Sequence, residues 1–214
     1  MKEINKTIQR GDCFKLLAAC FYEPDRALFL EEQVGKNICL LFENLVPEGV
    51  RPAIQMQGII EKLTQEQMSI DHAALFVGPF ELIAPPYGSV YIEKKRTVMG
   101  ETSVIAKRYY QEAELSVDIK EPPDHIVIEL EFMYYLCSKE ASAAQNGQQA
   151  ESNHFREQQV RFFHQAIKPW VGDFCAAIQA GTENAFYKSL AECLDSFLSS
   201  CENIYSTAQP TIAA

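Results

Sequence analysis

The chain has 214 residues, 47% of them hydrophobic, and carries 19 basic against 29 acidic side chains for a net charge of −10. This length and apolar content suit one domain with a substantial buried core. The acidic balance argues against nucleic acid or an anionic membrane as a partner held by the overall field.

Reading along the chain, "MKEINKTIQRG" has no apolar signal region, and no stretch approaches 18 uninterrupted apolar residues. The expectation is a cytoplasmic protein with no stable membrane insertion. Apolar residues recur at helical spacing over roughly 3–22, then at Val34, Ile38, Leu41, Phe42 and Leu45, and again over 52–68 and 98–115. A further face is set by Ile126, Leu130, Met133 and Cys137, followed by stretches at 153–167 and 184–204. Breaks fall at "YEPD", "VPEGVRP", "VGPFELIAPPYG" and "KEPPD", where proline and glycine cluster. The polar run 142–153 reads as an exposed helix–helix connection. The only strand-like segment, "GSVYIE", is too short and isolated to build a sheet. The pattern predicts an all-α, bundle-like single domain over residues 1–205, a frayed tail over 206–214, and a long proline-rich loop over 77–97 suited to function.

Seven cysteines, an odd number with no CxxC pair, point to buried reduced thiols rather than a metal or disulfide framework. The segment "EPPDHIVIELEFM" (121–133) carries more chemistry. Asp124 follows Pro123 and precedes a helical run, so it reads as the N-cap. His125 falls in the first turn with Glu129 four residues on. Glu121, Asp124, His125 and Glu129 together form a compact anionic site able to pair with a guanidinium. Metal readings are weak. Asp71–His72 and Glu151-x-x-His154 supply too few ligands for a di-iron bundle, and no metal is expected. "MGETSV" lacks the lysine and glycine spacing of a phosphate loop, and no nucleophile motif occurs. Trp170, Phe155, Phe162 and Phe163 read as core, and Lys94, Lys95 and Arg96 as a solvated loop cluster.

Taken together, "ALFVGPFELIAPPYGSVY" (74–91), "EPPDHIVIELEFM" and "FFHQAIKPW" (162–170) resemble the conserved blocks of the TorD/DmsD family of redox-enzyme maturation chaperones. The resemblance implies an all-helical cytoplasmic chaperone with no catalytic residues and no cofactor of its own. Its partner would be the twin-arginine leader, and also the mature part, of a molybdopterin oxidoreductase precursor of the dimethyl sulfoxide/trimethylamine N-oxide reductase type. Carried over by position, the leader-binding residues would be Leu75, Phe76, Pro86, Tyr87, Glu121, Asp124 and His125. His72 and Glu129 would extend the groove, His72 standing where the family usually has an aromatic residue. In the resulting mechanism, Leu75, Phe76, Pro86 and Tyr87 take the apolar part of the leader, and the acidic mouth takes its arginines. The competing readings are an assembly factor for a leader-less redox subunit and a metal-dependent hydrolase using His125, Glu129, Glu151 and His154. A monomer and a homodimer swapped through 142–153 both fit.

Overall fold

The helical period becomes eleven α-helices among the residues described by the computed structural model, 1–78, 82–94, 99–115 and 121–206. α1 (Lys2–Phe21) and α8 (Ile126–Gln145) pack directly against each other. Gly11 permits the close crossing, because a Cβ there would lie 3.1 Å from Cys137 Cβ. α2 (Arg26–Glu31) starts at Asp25, whose carboxylate accepts the Leu28 N–H at 3.0 Å. α3 (Val34–Leu45) and α4 (Val50–Ile60) pack together, and α3 also rests on α1.

The apolar stretch 52–68 divides in two. Thr64 forms a reciprocal capping box with Gln67 and starts α5 (Gln65–His72) afresh. A π-helical turn, Ala73–Val77, follows. "GSVYIE", the nearest strand candidate, is helical instead and gives α6 (Gly88–Ile92), which packs between α10 (Lys168–Gly181) and α7 (Glu101–Glu112). Among the described residues there is no strand, only an isolated antiparallel bridge between Tyr87 and His125.

The expected connection at 142–153 is much shorter. α8 runs to Gln145 and α9 (Gln149–Phe162) begins after three intervening residues, with Gly147 at φ 75° making the turn. α9 continues through a π turn, Phe163–Ile167, into α10. Pro169 supplies the reason: it lacks an N–H, and its ring would meet a carbonyl four residues earlier, so the helix widens upstream. α11 (Ala185–Ser206) closes the fold against α4 and α10. Ser206, expected in the tail, ends this helix. The rest of the predicted tail, and Lys95 and Arg96, lie outside the described residues.

One contiguous hydrophobic core joins these helices into a single helical domain, running from Cys13 and Phe14 to Cys201 and Tyr205. All seven cysteines are buried free thiols. Burial pushes the Cys20 and Cys175 thiols up to about 12, where they are poor nucleophiles. Among the described residues no helix is long and apolar enough to cross a membrane.

Candidate functional site

The two most distinctive sequence blocks meet in space. The N–H of Gly88 donates to the Asp124 carbonyl at 3.0 Å, and the N–H of Ile126 donates to the Pro86 carbonyl at 2.9 Å. The proline-rich segment is thereby stitched, backbone to backbone, onto the start of α8.

Asp124 reinforces that seam from inside. Its carboxylate is fully buried, accepting the Ser89 N–H at 2.7 Å on Oδ2 and the Ser103 hydroxyl at 2.5 Å on Oδ1. One side chain thus ties together α6, α7 and α8. Burial of a carboxylate is tolerable only with such charge-assisted partners. The hydroxyl of Tyr110 adds a bond to the Pro123 carbonyl at 2.8 Å.

The N-cap expectation for Asp124 is corrected: His125 caps α8. Its Nδ1 accepts the Val127 N–H at 3.1 Å, a role open only to an unprotonated nitrogen. Burial is the main reason that the imidazole is pushed down to about 4, partly opposed by Glu121 and Asp124. Its ring meets that of Tyr87 edge-on, with centroids 5.2 Å apart. The half-buried Tyr87 donates its hydroxyl to Glu121 Oε2 at 2.9 Å, and Glu121 is exposed.

Glu129 likewise departs from the expected acidic mouth. It is fully buried, and Oε2 accepts the indole N–H of Trp170 at 3.2 Å while Oε1 has no partner among the described residues. Burial, with Asp124 nearby, raises its pKa well above the ordinary value and so favours the neutral carboxyl. Gly88 allows the Trp170 indole to come close, since a Cβ there would lie 2.9 Å from Nε1. Of the four acidic-site residues only Glu121 is an exposed carboxylate, because Asp124 and Glu129 point into the core.

Leu75 and Phe76 are also interior, at 1% and 5% exposure, rather than walls of an open groove. The Leu75 carbonyl accepts the Ala84 N–H at 3.0 Å, which anchors the loop. Phe76 sits in a ring cluster with His72, Phe21, Phe174 and Tyr187, at centroid distances of 5.2, 6.0, 6.0 and 5.6 Å. His72 takes an aromatic's place there, its Nε2 lying 3.2 Å from the Phe21 carbonyl, and burial lowers its pKa. Tyr91 stacks on Trp170, and both rings meet Phe174 of this cluster, which links it toward the Asp124 seam.

Pro86 is buried under the seam. Three contributors escaped sequence reasoning: Ser89, Ser103 and the specific partnership of Trp170 with Glu129. Ser89 lies inside the "APPYGSVY" block, so its position there was the available signal. Ser103 offered none. Among the described residues, no group of three or more His, Cys, Asp or Glu side chains could hold a metal ion. The arrangement His125, Glu129, Glu151 and His154 needed by the hydrolase reading is therefore not assembled.

Comparison with known proteins places the chain in a family. The family described as nitrate reductase delta subunit matches residues 43–176, a span that contains all three sequence blocks. A selenate reductase assembly chaperone protein of Thauera selenatis is 30% identical over 144 residues, covering 64% of this chain and 71% of that protein. A Haemophilus influenzae protein named as a Tat proofreading chaperone, DmsD, is 27% identical over 193 residues, 88% of each chain. A solved structure from Archaeoglobus fulgidus, described as a redox enzyme maturation protein, has a TM-score of 0.55 at 22% identity. It covers 87% of this chain and 92% of its own, and shows a shared fold.

Proposed function

Because the chain belongs to the nitrate reductase delta subunit family, among its TorD/DmsD-type chaperones, we propose that it is a cytoplasmic, non-catalytic maturation chaperone. In this reading it binds the twin-arginine leader of a molybdopterin oxidoreductase precursor of the dimethyl sulfoxide/trimethylamine N-oxide reductase type. It assists cofactor insertion before export and needs no cofactor of its own.

The observation that carries the reading is the seam itself, which brings exposed Glu121, half-buried Tyr87 and His125 to one end of α8. Glu121 gives a leader arginine a charge-assisted partner. Exposed Val77, Ile83 and Ile92, on the segments flanking the seam, offer apolar contact to the rest of the leader. Leu75, Phe76, Pro86 and Asp124 act from beneath, holding that surface in shape, as do His72 and Glu129 further in.

The test is affinity capture with the full chain from the native host, with bound proteins identified by mass spectrometry. Recovery of a molybdoenzyme precursor with its leader uncleaved supports the proposal, provided that replacing the leader's arginine pair weakens capture. The family's description as nitrate reductase delta subunit favours one second reading, an assembly factor for a leader-less redox subunit. Capture of such a subunit, insensitive to any leader, would replace the first reading with this one.

A further inference from the structure

A cavity of about 230 Å³ lies between the N-terminal half of α1, the end of α3, the C-terminal half of α8, α9 and the C-terminal half of α11. Its polar lining includes Arg10, Arg156 and Glu140, and its apolar lining includes Leu45, Phe197 and Ile204. Glu140 is heavily used. It accepts from Arg10 Nη2 at 2.8 Å, Gln159 Nε2 at 2.7 Å and Thr7 Oγ1 at 3.2 Å, with Arg156 Nη1 at 4.0 Å.

The guanidinium groups are less well matched. Arg10 is 4% exposed and also donates from Nη2 to Gln159 Oε1 at 3.0 Å, yet its Nε–H has no acceptor among the described residues. Arg156 has the distant Glu140 contact and a 3.4 Å bond to the Ile204 carbonyl. Both guanidiniums also lie over the ring of Tyr205, at 5.7 and 5.0 Å from its centroid. Two cations here share one carboxylate, which leaves one positive charge inside an otherwise acidic protein. At the rim, Glu3 and Lys6 pair at 3.6 Å and cancel.

A buried guanidinium N–H without an acceptor, as at Arg10 Nε, is costly, and a carboxylate is the group that best matches a guanidinium's planar fork. We infer that this cavity binds a small monocarboxylate with an apolar body. The carboxylate lies against Arg10 and Arg156, and the body against Leu45, Phe197 and Ile204. A single negative charge neutralises the site, whereas a dianion would face Glu140 with excess charge. This site is separate from the leader-binding surface proposed above and does not depend on it.

The experiment titrates benzoate, butyrate, inorganic phosphate and sodium chloride, at matched ionic strength, into the purified full chain and follows thermal stability. Benzoate is expected to raise the midpoint progressively up to about 10 mM, well beyond the effect of sodium chloride. Arg156→Gln should weaken that dependence at least about tenfold while circular dichroism shows an intact fold. Arg108→Gln, an exposed control of the same charge change, should leave it unaltered. In wild-type protein, NMR contacts from the benzoate ring should fall on Leu45, Phe197 and Ile204, a readout that needs no variant. No stabilisation by either carboxylate, contacts elsewhere, or an equal response in folded Arg156→Gln would overturn the site. Tighter binding of phosphate than of benzoate would overturn the monocarboxylate assignment.

Discussion

The carboxylate of Asp124 receives the backbone N–H of Ser89 across 35 residues of sequence, at 2.7 Å and out of solvent. That bond fixes the proline-rich segment on α8, and the Ser103 hydroxyl completes the arrangement. Asp124→Ala would leave both donors buried and unmatched. The expected loss is about 2–4 kcal/mol of unfolding free energy in urea. Glu121→Gln, on the exposed side, should change stability by less than about 0.5 kcal/mol. Equal effects of the two substitutions would show that the buried seam carries no special stability.

Glu129 and pH are linked with a defined sign. The folded state favours the neutral carboxyl, whereas the unfolded chain ionises near its ordinary value of 4.5. Its stabilising contribution is full below that pH and is lost as pH rises. Glu129→Gln keeps an acceptor for Trp170 without the ionisation. The variant should match wild type near about pH 4.5 and melt about 3–6 °C higher near pH 8. Lower stability of the variant at both ends would contradict a neutral Glu129.

His125 has the opposite sign. Its folded pKa of about 4 lies below the ordinary 6.5. Stabilisation is therefore full above about 6.5 and declines as pH falls toward 4, because the unfolded chain takes up the proton first. Asn is a good N-cap and does not titrate. Between about pH 7 and pH 5, His125→Asn should lose about 1–2 kcal/mol less stability than wild type. Parallel pH curves for the two proteins would exclude His125 as the group responsible.

Gly88→Ala places a methyl group where the Trp170 indole lies. The cost should be about 1–3 kcal/mol. Trp170 is the sole tryptophan, so its emission should shift with the strain. An unchanged spectrum and melting temperature would mean that this contact is loose.

On the proposed leader surface, Tyr87→Phe removes the hydroxyl bond to Glu121, and Glu121→Gln removes the charge. Each should weaken a synthetic twin-arginine leader by about three- to tenfold in calorimetry, with folding stability retained. Unaltered affinity in both variants would place the contact elsewhere.

The helical class and most helix positions were legible because amphipathic faces repeat at 3.6 residues from α1 to α11. α2 and α10 were not singled out, since a six-residue helix has little period and α10 begins at a proline within a continuing rod. "GSVYIE" shows how a short β-branched run yields to its surroundings: α6 forms because Asp124 and α10 receive it. At the Asp-His pair the expected N-cap role passes from Asp124 to His125, and Asp124 is buried. Sequence places both residues at a helix start and cannot show that Ser89 and Ser103 arrive from elsewhere to claim the carboxylate. The same limit hid the interior location of Leu75, Phe76 and Glu129, whose burial depends on long-range packing.

The seven buried thiols are distributed over α1, α3, α8, α10 and α11. Each becomes available to a thiol reagent only when its own stretch of helix opens. Labelling followed by peptide mass analysis would thus rank the opening of these helices one against another, without an introduced probe. The chain comes already equipped with a site-by-site record of how it comes apart.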